Sequence, residues 1–558
     1  MFNSALIAQI KEGIAAGLKR RTLSSCSKWS EAYVIMGGKD FPGPIRWNYH
    51  PWLRDMHDSN ALWNIGQKAA QMGFTVVGIN RTFFKIDVER QSSLYLLPTK
   101  TPDATDFSAT RFDPMLELSP HLEKLFSDVK NVATKRAGSA TLYIRGANSR
   151  SGLKSIPVSF IVFDELDEMK QENIPLALER TSGQLTKQFW AISTPTIPGM
   201  GINKLYLGST QEHFFFTCPN CSRKTELIYP DSLVICGNGL DDPDVAKSHV
   251  ICKECKHPLP SAFADRKDEA KAEYIRTGCW EAQGHSDFEN RGFHINQMYS
   301  PTITPPELAK AYFRSLSSPA DEQELHNSKF GNPHIVDGAR VTEVLLEKSL
   351  RDYRKEDAPP VGKLITMGVD VGKWLHYEIA AWYPKKMGAD LNMMSDCRVL
   401  CEGKVAAFEE LDKLMRQWQP LICVIDANPE RRKAYEFAVR FFGHVKLCFY
   451  SKGVSGRSIT INKDTAEHTI SVDRTSWMDT SLGRFHSGTI TLPRDTSREY
   501  KEQIKCPVRI YEKDKDGNPV GKYVNTGDDH FAHARNYDEI ALILAASFAT
   551  NQDIASFL

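Results

Sequence analysis

Several short stretches of the chain carry side chains able to do chemistry. Val158 to Phe163 is an apolar run that ends in adjacent carboxylates, Asp164 and Glu165. At a strand end in a nucleotide hydrolase such a pair divides two tasks. The first carboxylate enters the Mg²⁺ shell, and the second orients or deprotonates the attacking water. Alone, the segment reads equally well as a buried strand capped by acidic turn residues. Further on, Phe189 to Thr196 is another apolar run ending in hydroxyls, with Ser193 and Thr194 placed to sense a γ-phosphate or to close an ST-turn. A phosphate-holding loop should come earlier. Gly66 to Thr75 offers Lys68 for charge, Gly73 for close backbone approach and Thr75 for the metal. It departs from G-x-x-x-x-G-K-[ST], because Phe74 stands where that pattern has lysine. By composition it reads as a surface helix, and only its place ahead of Asp164-Glu165 recommends it.

A second set lies in the C-terminal part. Asp370 sits in the apolar run Lys363 to Gly372, Tyr377 to Tyr383 supplies a hairpin partner, and Pro420 to Ala427 carries Asp426. Asp529 and His533, four apart, share one side of a helix on which His530 is adjacent. Carboxylates on neighbouring strand ends plus helix ligands are what an RNase H-type two-metal site needs. Mg²⁺ or Mn²⁺ ions roughly 4 Å apart then clamp the attacking water and the leaving oxygen of a phosphodiester. Hard oxygen ligands suit both ions, and an imidazole makes Mn²⁺ tolerable. Each Asp singly is an ordinary turn residue; the ordered set favours the metal site. Its third ligand stays open among Asp529, His533 and Asp538, with His530 beside them.

The third set is Cys218-Pro219-Asn220-Cys221 and Cys252-Lys253-Glu254-Cys255, with 30 residues between the pairs. Four thiolates at this spacing make a structural zinc ribbon, and four sulfur ligands leave no open position for catalysis. A redox CxxC is the minor alternative. The other eight of the 12 cysteines are scattered, as in a reduced compartment.

The elements that must position these groups follow from patterning. Strand candidates at Ser93–Leu97, Thr141–Arg145, Ser159–Phe163 and Gln188–Ile192 alternate with helical stretches, an α/β signature. Ser4–Lys19 is helix-like, and Ala358-Pro359-Pro360-Val361-Gly362 reads as a linker. The expected organisation is an N-terminal leader (1–45), a P-loop α/β ATPase domain (46–345) with the zinc ribbon inserted at about 210–260, a linker (346–360), and an RNase H-like nuclease domain (361–558). The 558 residues suffice for two large domains. Hydrophobic residues are 41% and charged ones 25%, which excludes disorder and small disulfide scaffolds. Lys+Arg 70 against Asp+Glu 69 leaves a net charge of +1, so any DNA contact must come from a local patch. Lys446, Lys452 and Arg457, and the stretch Lys501 to Arg509, are the candidates. No apolar run approaches the roughly 20 residues of a spanning helix, and no signal peptide is read.

In this order these residues resemble the large terminase subunit of tailed bacteriophages, of the lambda-like class with a cysteine-rich insert. The resemblance covers roughly residues 46 to 545. It rests on Lys68 to Thr75, Gly146-Ala147-Asn148-Ser149 with Leu153-Lys154-Ser155 leading into Asp164-Glu165, Ser193-Thr194-Pro195, Cys218 to Cys255, Gly292-Phe293-His294 with Tyr299-Ser300-Pro301, and Asp370 and Asp426. It implies an ATP-driven motor that pumps viral DNA through a portal into the procapsid, joined to an endonuclease that cuts concatemeric DNA. It implies double-stranded DNA, a small terminase subunit and a portal protein as partners, a ring of subunits on the portal, and a place in the host cytoplasm. ATP, Mg²⁺ or Mn²⁺ at both active sites and structural Zn²⁺ are the expected cofactors. Arg81, Arg145, Arg150 and Arg180 become candidate arginine fingers, and Tyr49 to Arg54 sits where the family packs adenine. A repair or mobile-element ATPase–nuclease, and a zinc-ribbon DNA-binding scaffold with degenerate catalytic domains, are the alternatives.

Overall fold

The computed structural model describes residues 11, 13, 25–127, 129–264, 267–284, 289–355, 357, 364–385, 391–451, 453–461, 469–513 and 518–548. The linker prolines, most of Ser4–Lys19 and Lys452 lie outside them. The chain forms two compact units, Met1–His334 and Ile335–Leu558.

The first unit is built on strands β1 (Trp63–Lys68), β2 (Ser93–Leu97), β3 (Ala140–Gly146), β4 (Phe160–Asp164), β5 (Gln188–Ser193), β6 (Glu212–Thr217) and β7 (Asn290–Ile295). They run parallel in the order β6-β7-β1-β5-β4-β2-β3. All four expected strands are present, within one or two residues at their ends. β2, β4 and β5 are buried at every position, as the central strands of a doubly covered parallel sheet must be. Val162, Trp190 and Ile192 face one apolar layer, and Ile161, Phe163 and Ala191 the other. Helix α1 (Phe74–Asp87) lies close on the first face, because a Cβ on Gly78 would stand only 3.2 Å from Val162 and 3.3 Å from Trp190 and Ile192. β1 and β4 are separated only by β5, so their carboxyl ends open on one crevice. Residues 26–45 belong to this unit: Trp29 Nε1 donates to Asp87 at 2.9 Å.

The second unit holds a nine-stranded mixed sheet. At its centre β8 (Leu364–Val371) pairs antiparallel with β9 (Leu375–Pro384) and parallel with β10 (Ile422–Asp426), which in turn pairs parallel with β11 (Val445–Tyr450). The helix α2 (Arg474–Ser487) and the long C-terminal α3 (His530–Phe548) pack on the sheet. Helix Glu343–Ser349 and strand Leu350–Arg351, in the stretch read as domain end and linker, belong to this unit, and Leu350–Arg351 pairs with Ile490–Pro493.

Candidate functional sites

In the first unit the loop 69–73 joins β1 to α1 and is held from several sides. Ala69 N donates to Ile295 O at 3.0 Å, Ala70 N to Ser328 O at 2.8 Å, and Trp52 Nε1 to Met72 O at 3.0 Å. Gly73 has φ +84°, a conformation that favours glycine, and a Cβ there would strike the Leu53 side chain at 2.7 Å. The segment is therefore a strand, a tight loop and a helix start, not a surface helix. Phe74 is fully buried, with its ring against the backbone of Gly66, where a Cβ would meet it at 2.5 Å. Position 74 thus anchors the core.

The cation at this loop is Lys68, whose buried Nζ lies 3.3 Å from Glu165 Oε1 and 3.4 Å from Thr194 Oγ1. Thr75 Oγ1 donates to Asp164 Oδ1 at 3.4 Å, and Tyr95 OH donates to Asp164 Oδ2 at 2.6 Å. Burial and the neighbouring Glu165 charge push the Asp164 carboxyl up to about 6, against the Tyr95 and Lys68 contributions. A divalent cation would relieve both effects, so these residues fit one. Glu165 is left-handed at φ +61°, uncommon for a non-glycine residue, and this turns its carboxylate toward Lys68. Lys68, Gly73, Phe74, Thr75, Asp164 and Glu165 line one cavity of about 710 Å³.

Ser193 takes no part in that lining. Its buried hydroxyl accepts from Asp167 N at 3.2 Å and donates to Thr194 O at 3.0 Å. Asp167 in turn accepts from Thr196 N and Ile202 N at 2.9 and 2.7 Å, so Ser193 shapes the turn after β4. Arg81, Arg145, Arg150 and Arg180 do not line the cavity, and Arg81 is buried against Met56, His57 and Gln188. Tyr49 to Arg54 does not line it either: Trp52 is fully buried and packs edge-on to Phe214 and Tyr299. Met36, Gly37 and Gly38 line it instead, as do Tyr95's neighbour Phe107 and Arg111. None of these carries a local sequence signal. The Tyr95 hydroxyl among the leucines of β2 is the one legible sign.

The four cysteine sulfurs lie within 4.8 Å of one another. The two CxxC turns repeat one geometry. Cys218 N donates to Arg223 O at 2.9 Å and Cys252 N to His257 O at 3.0 Å, with Ser222 and Lys256 each left-handed at φ +56° and +58°. Four convergent thiols fit a tetrahedral zinc ion.

In the second unit Asp370 and Asp426 lie side by side, on β8 and at the end of β10, where Val369 pairs with Ile425. α3 crosses above them. A Cβ on Gly368 would stand 2.1 Å from Ala534 O and 2.2 Å from Asp538 N, so only glycine lets the helix backbone rest on the strand. His530 Nδ1 is 2.8 Å from Asp370 Oδ2, and its ring stacks on His376 with centroids 4.6 Å apart. Ligand atoms of Asp370, His376 and His530 come within 4.8 Å of one another. Burial, then the Asp370 charge, push the Asp426 carboxyl up to about 6, opposed by His533 and a bond from Tyr537. Two carboxylates and nearby imidazoles fit Mg²⁺ or Mn²⁺. Asp529 stands 3.1 Å from His533 Nε2 and 3.6 Å from Arg474. Burial opposes its ionisation, but the His533 bond and the charges of His533 and Arg474 hold its carboxyl below the usual range.

Asp538 faces elsewhere. It is fully buried, bonded by Thr366 and 3.3 Å from Arg535. Arg535 also pairs with Glu378 and Glu539, and Arg484 pairs with Glu539 at 2.6 Å. The Asp538 carboxyl is raised well above the usual range, by burial first. Of the basic candidates, Arg509 is tied to Asp479 at 2.7 Å and Lys505 to Glu343 at 2.6 Å. Arg431, which carries no sequence signal of its own, lies over the Phe449 ring at 5.5 Å, one residue past the pairing of Asp426 with Cys448.

Two family models match the chain in tandem. "Phage terminase large subunit gpA, ATPase domain" matches residues 39–280, and "Terminase large subunit gpA, endonuclease domain" matches residues 290–551. Among solved structures, the large terminase of bacteriophage HK97 is 11% identical with a TM-score of 0.47, covering 93% of this chain and 99% of its own. The large terminase of a thermophilic bacteriophage is 10% identical with a TM-score of 0.29, covering 90% and 100%. The ATPase domain of the Thermus phage P74-26 large terminase is 13% identical with a TM-score of 0.30, covering 52% and 94%. No curated protein matches. Among the described residues no helix is long and apolar enough to cross a membrane. With its two sites on two mixed α/β units, each matched by its own domain model, the chain belongs to the phage terminase large subunit family gpA and has ATPase and endonuclease activities.

Proposed function

We propose that this subunit packages viral DNA: ATP hydrolysis in the first unit drives DNA through a portal into the procapsid, and the second unit cuts concatemeric DNA. The observation that carries the reading is the convergence of Lys68, Thr75, Asp164 and Glu165 on one cavity, with Thr194 in contact with Lys68. Thr75 and Asp164 would hold the Mg²⁺ of Mg·ATP, which supplies charge neutralisation of the triphosphate when bound. Lys68 takes the phosphate charge, Glu165 accepts the proton of the attacking water, and Thr194 senses the γ-phosphate through its contact with Lys68. The core role of Phe74 accounts for the missing lysine, the one support for a degenerate scaffold.

In the second unit Asp370 and Asp426 would hold the divalent ions, with His530 as the helix ligand, on an RNase H-like sheet. Such ions lower the pKa of bound water and clamp both oxygens of the phosphodiester. The CxxC pairs would form a zinc ribbon inserted in the P-loop ATPase domain. Double-stranded DNA, a small subunit, a portal and a ring of copies complete the proposal, acting in the host cytoplasm.

The test is Glu165→Gln in the full chain. ATP turnover should fall at least about 100-fold, within the range for a lost general base, while ATP still binds and Mn²⁺-dependent nicking of supercoiled plasmid persists. Turnover at the wild-type rate would refute the assignment of Glu165.

A further inference from the structure

We propose that Arg111 is the second cation of the nucleotide site, contacting the triphosphate bound in its own chain. The proposal rests on the reading of the 710 Å³ cavity as that site. The charged side chains lining the cavity are Lys68, Arg111, Asp164 and Glu165. A triphosphate adds strongly to the negative side. Lys68 is already shared between Glu165 and Thr194. Position 74, where the general pattern has lysine, is a buried phenylalanine. Arg111 is the remaining cation on the wall, and no carboxylate pairs with it among the described residues.

Its backbone is held where this role needs it. Phe107 stacks on Tyr95 with centroids 5.2 Å apart, and Phe112 meets Tyr95 edge-on at 5.2 Å and Phe83 at 5.6 Å. Tyr95 OH is the donor to Asp164. The residues on both sides of Arg111 thus lean on the ring that orients the metal carboxylate. Arg111 as a residue is exposed. A planar fork of donors on a fixed backbone is suited to bidentate phosphate contacts.

The experiment measures binding of fluorescent ATP and ADP analogues, with steady-state ATPase, on the full chain and on Arg111→Ala, Arg111→Lys and Lys68→Ala. Arg111→Ala should weaken ATP binding about 10- to 100-fold, the worth of a hydrogen bond to a charged group. Arg111→Lys should recover part of it, since charge returns without the fork. Loss confined to ATP places the contact on the γ-phosphate; equal loss for ADP places it on the inner phosphates, and either supports the proposal. Affinity within about twofold of wild type, with or without a fall in kcat, would overturn it. Binding that survives Lys68→Ala would instead overturn the reading of the cavity, and the Arg111 assignment with it. An unchanged circular-dichroism spectrum and thermal melt of each variant show that the first unit is folded, and Arg111→Gln replaces the alanine variant if that one fails to fold.

Discussion

A single methyl group should silence the nuclease without touching it. In Gly368→Ala the new Cβ would lie 2.1 Å from Ala534 O and 2.2 Å from Asp538 N, where ordinary contact begins at 3.4 Å. The shortfall is 1.3 Å from 2.1 to 3.4 Å, and both obstacles are backbone of α3, which cannot swing aside as a side-chain tip would. The helix must lift or tilt by about 1 Å, at an overpacking cost of about 1–3 kcal/mol. His530 is on the first turn of that helix and Asp370 is two residues along the strand, so the lift opens their 2.8 Å contact. A displacement of about 1 Å in a catalytic constellation costs about 100-fold in rate. The assay is nicking of supercoiled plasmid in Mn²⁺ and in Mg²⁺, with ATP turnover measured beside it. We expect nicking to fall about 100-fold, a lower melting temperature for the second unit, and ATPase within about twofold of wild type. Gly78→Ala is the contrast, because its nearest neighbours stand at 3.2–3.3 Å and are side-chain atoms. Wild-type nicking by folded Gly368→Ala would refute the claim that helix height sets the site.

Two further outcomes follow from the sites. Asp426 titrates at about 6 in the folded chain against an ordinary 3.8, so the folded state binds more protons than the unfolded one between these values, and metal-free stability falls as pH rises through that window. Asp426→Asn should therefore raise the metal-free melting temperature at pH 7 by about 2–4 °C and leave it unchanged at a pH of about 3.5, below both values, by calorimetry; a lower value at neutral pH would contradict the assigned environment. Treatment with a strong chelator under denaturing conditions should release one zinc per chain from the wild type and none from Cys218→Ser/Cys252→Ser, read with a colorimetric zinc dye; equal release from both would remove the metal from the cysteine cluster.

The sequence was most legible where chemistry and patterning coincide. Apolar strands ending in Asp164 and Asp426 announce both their burial and their carboxylates, because a doubly covered parallel strand has no room for alternation. The convergence of the CxxC pairs was legible because their spacing suits four sulfurs gathered at one point. What stayed hidden depends on side-chain direction. Ser193 ends β5 and Thr194 begins the following loop, so the two adjacent hydroxyls part, and only Thr194 reaches Lys68. Asp538 and His530 share a helix, but one is turned into the core and the other onto Asp370. Arg111 and Met36 to Gly38 reach the cavity from segments distant in sequence, which no local pattern reports.

The charges buried beneath α3 set a constraint on how this unit can change. Arg535, Glu378, Glu539, Arg484 and Asp538 are each at most 3% exposed, and every one leans on another. Removing one partner strands another charge away from water, at about 3–5 kcal/mol. Sliding the helix by one residue would do so at several places at once, so the network acts as a key that admits a single register. Substitution at these positions must then proceed in concert: the group can be exchanged whole for an apolar set of like volume, whereas each single replacement strands a charge beneath the helix that carries His530.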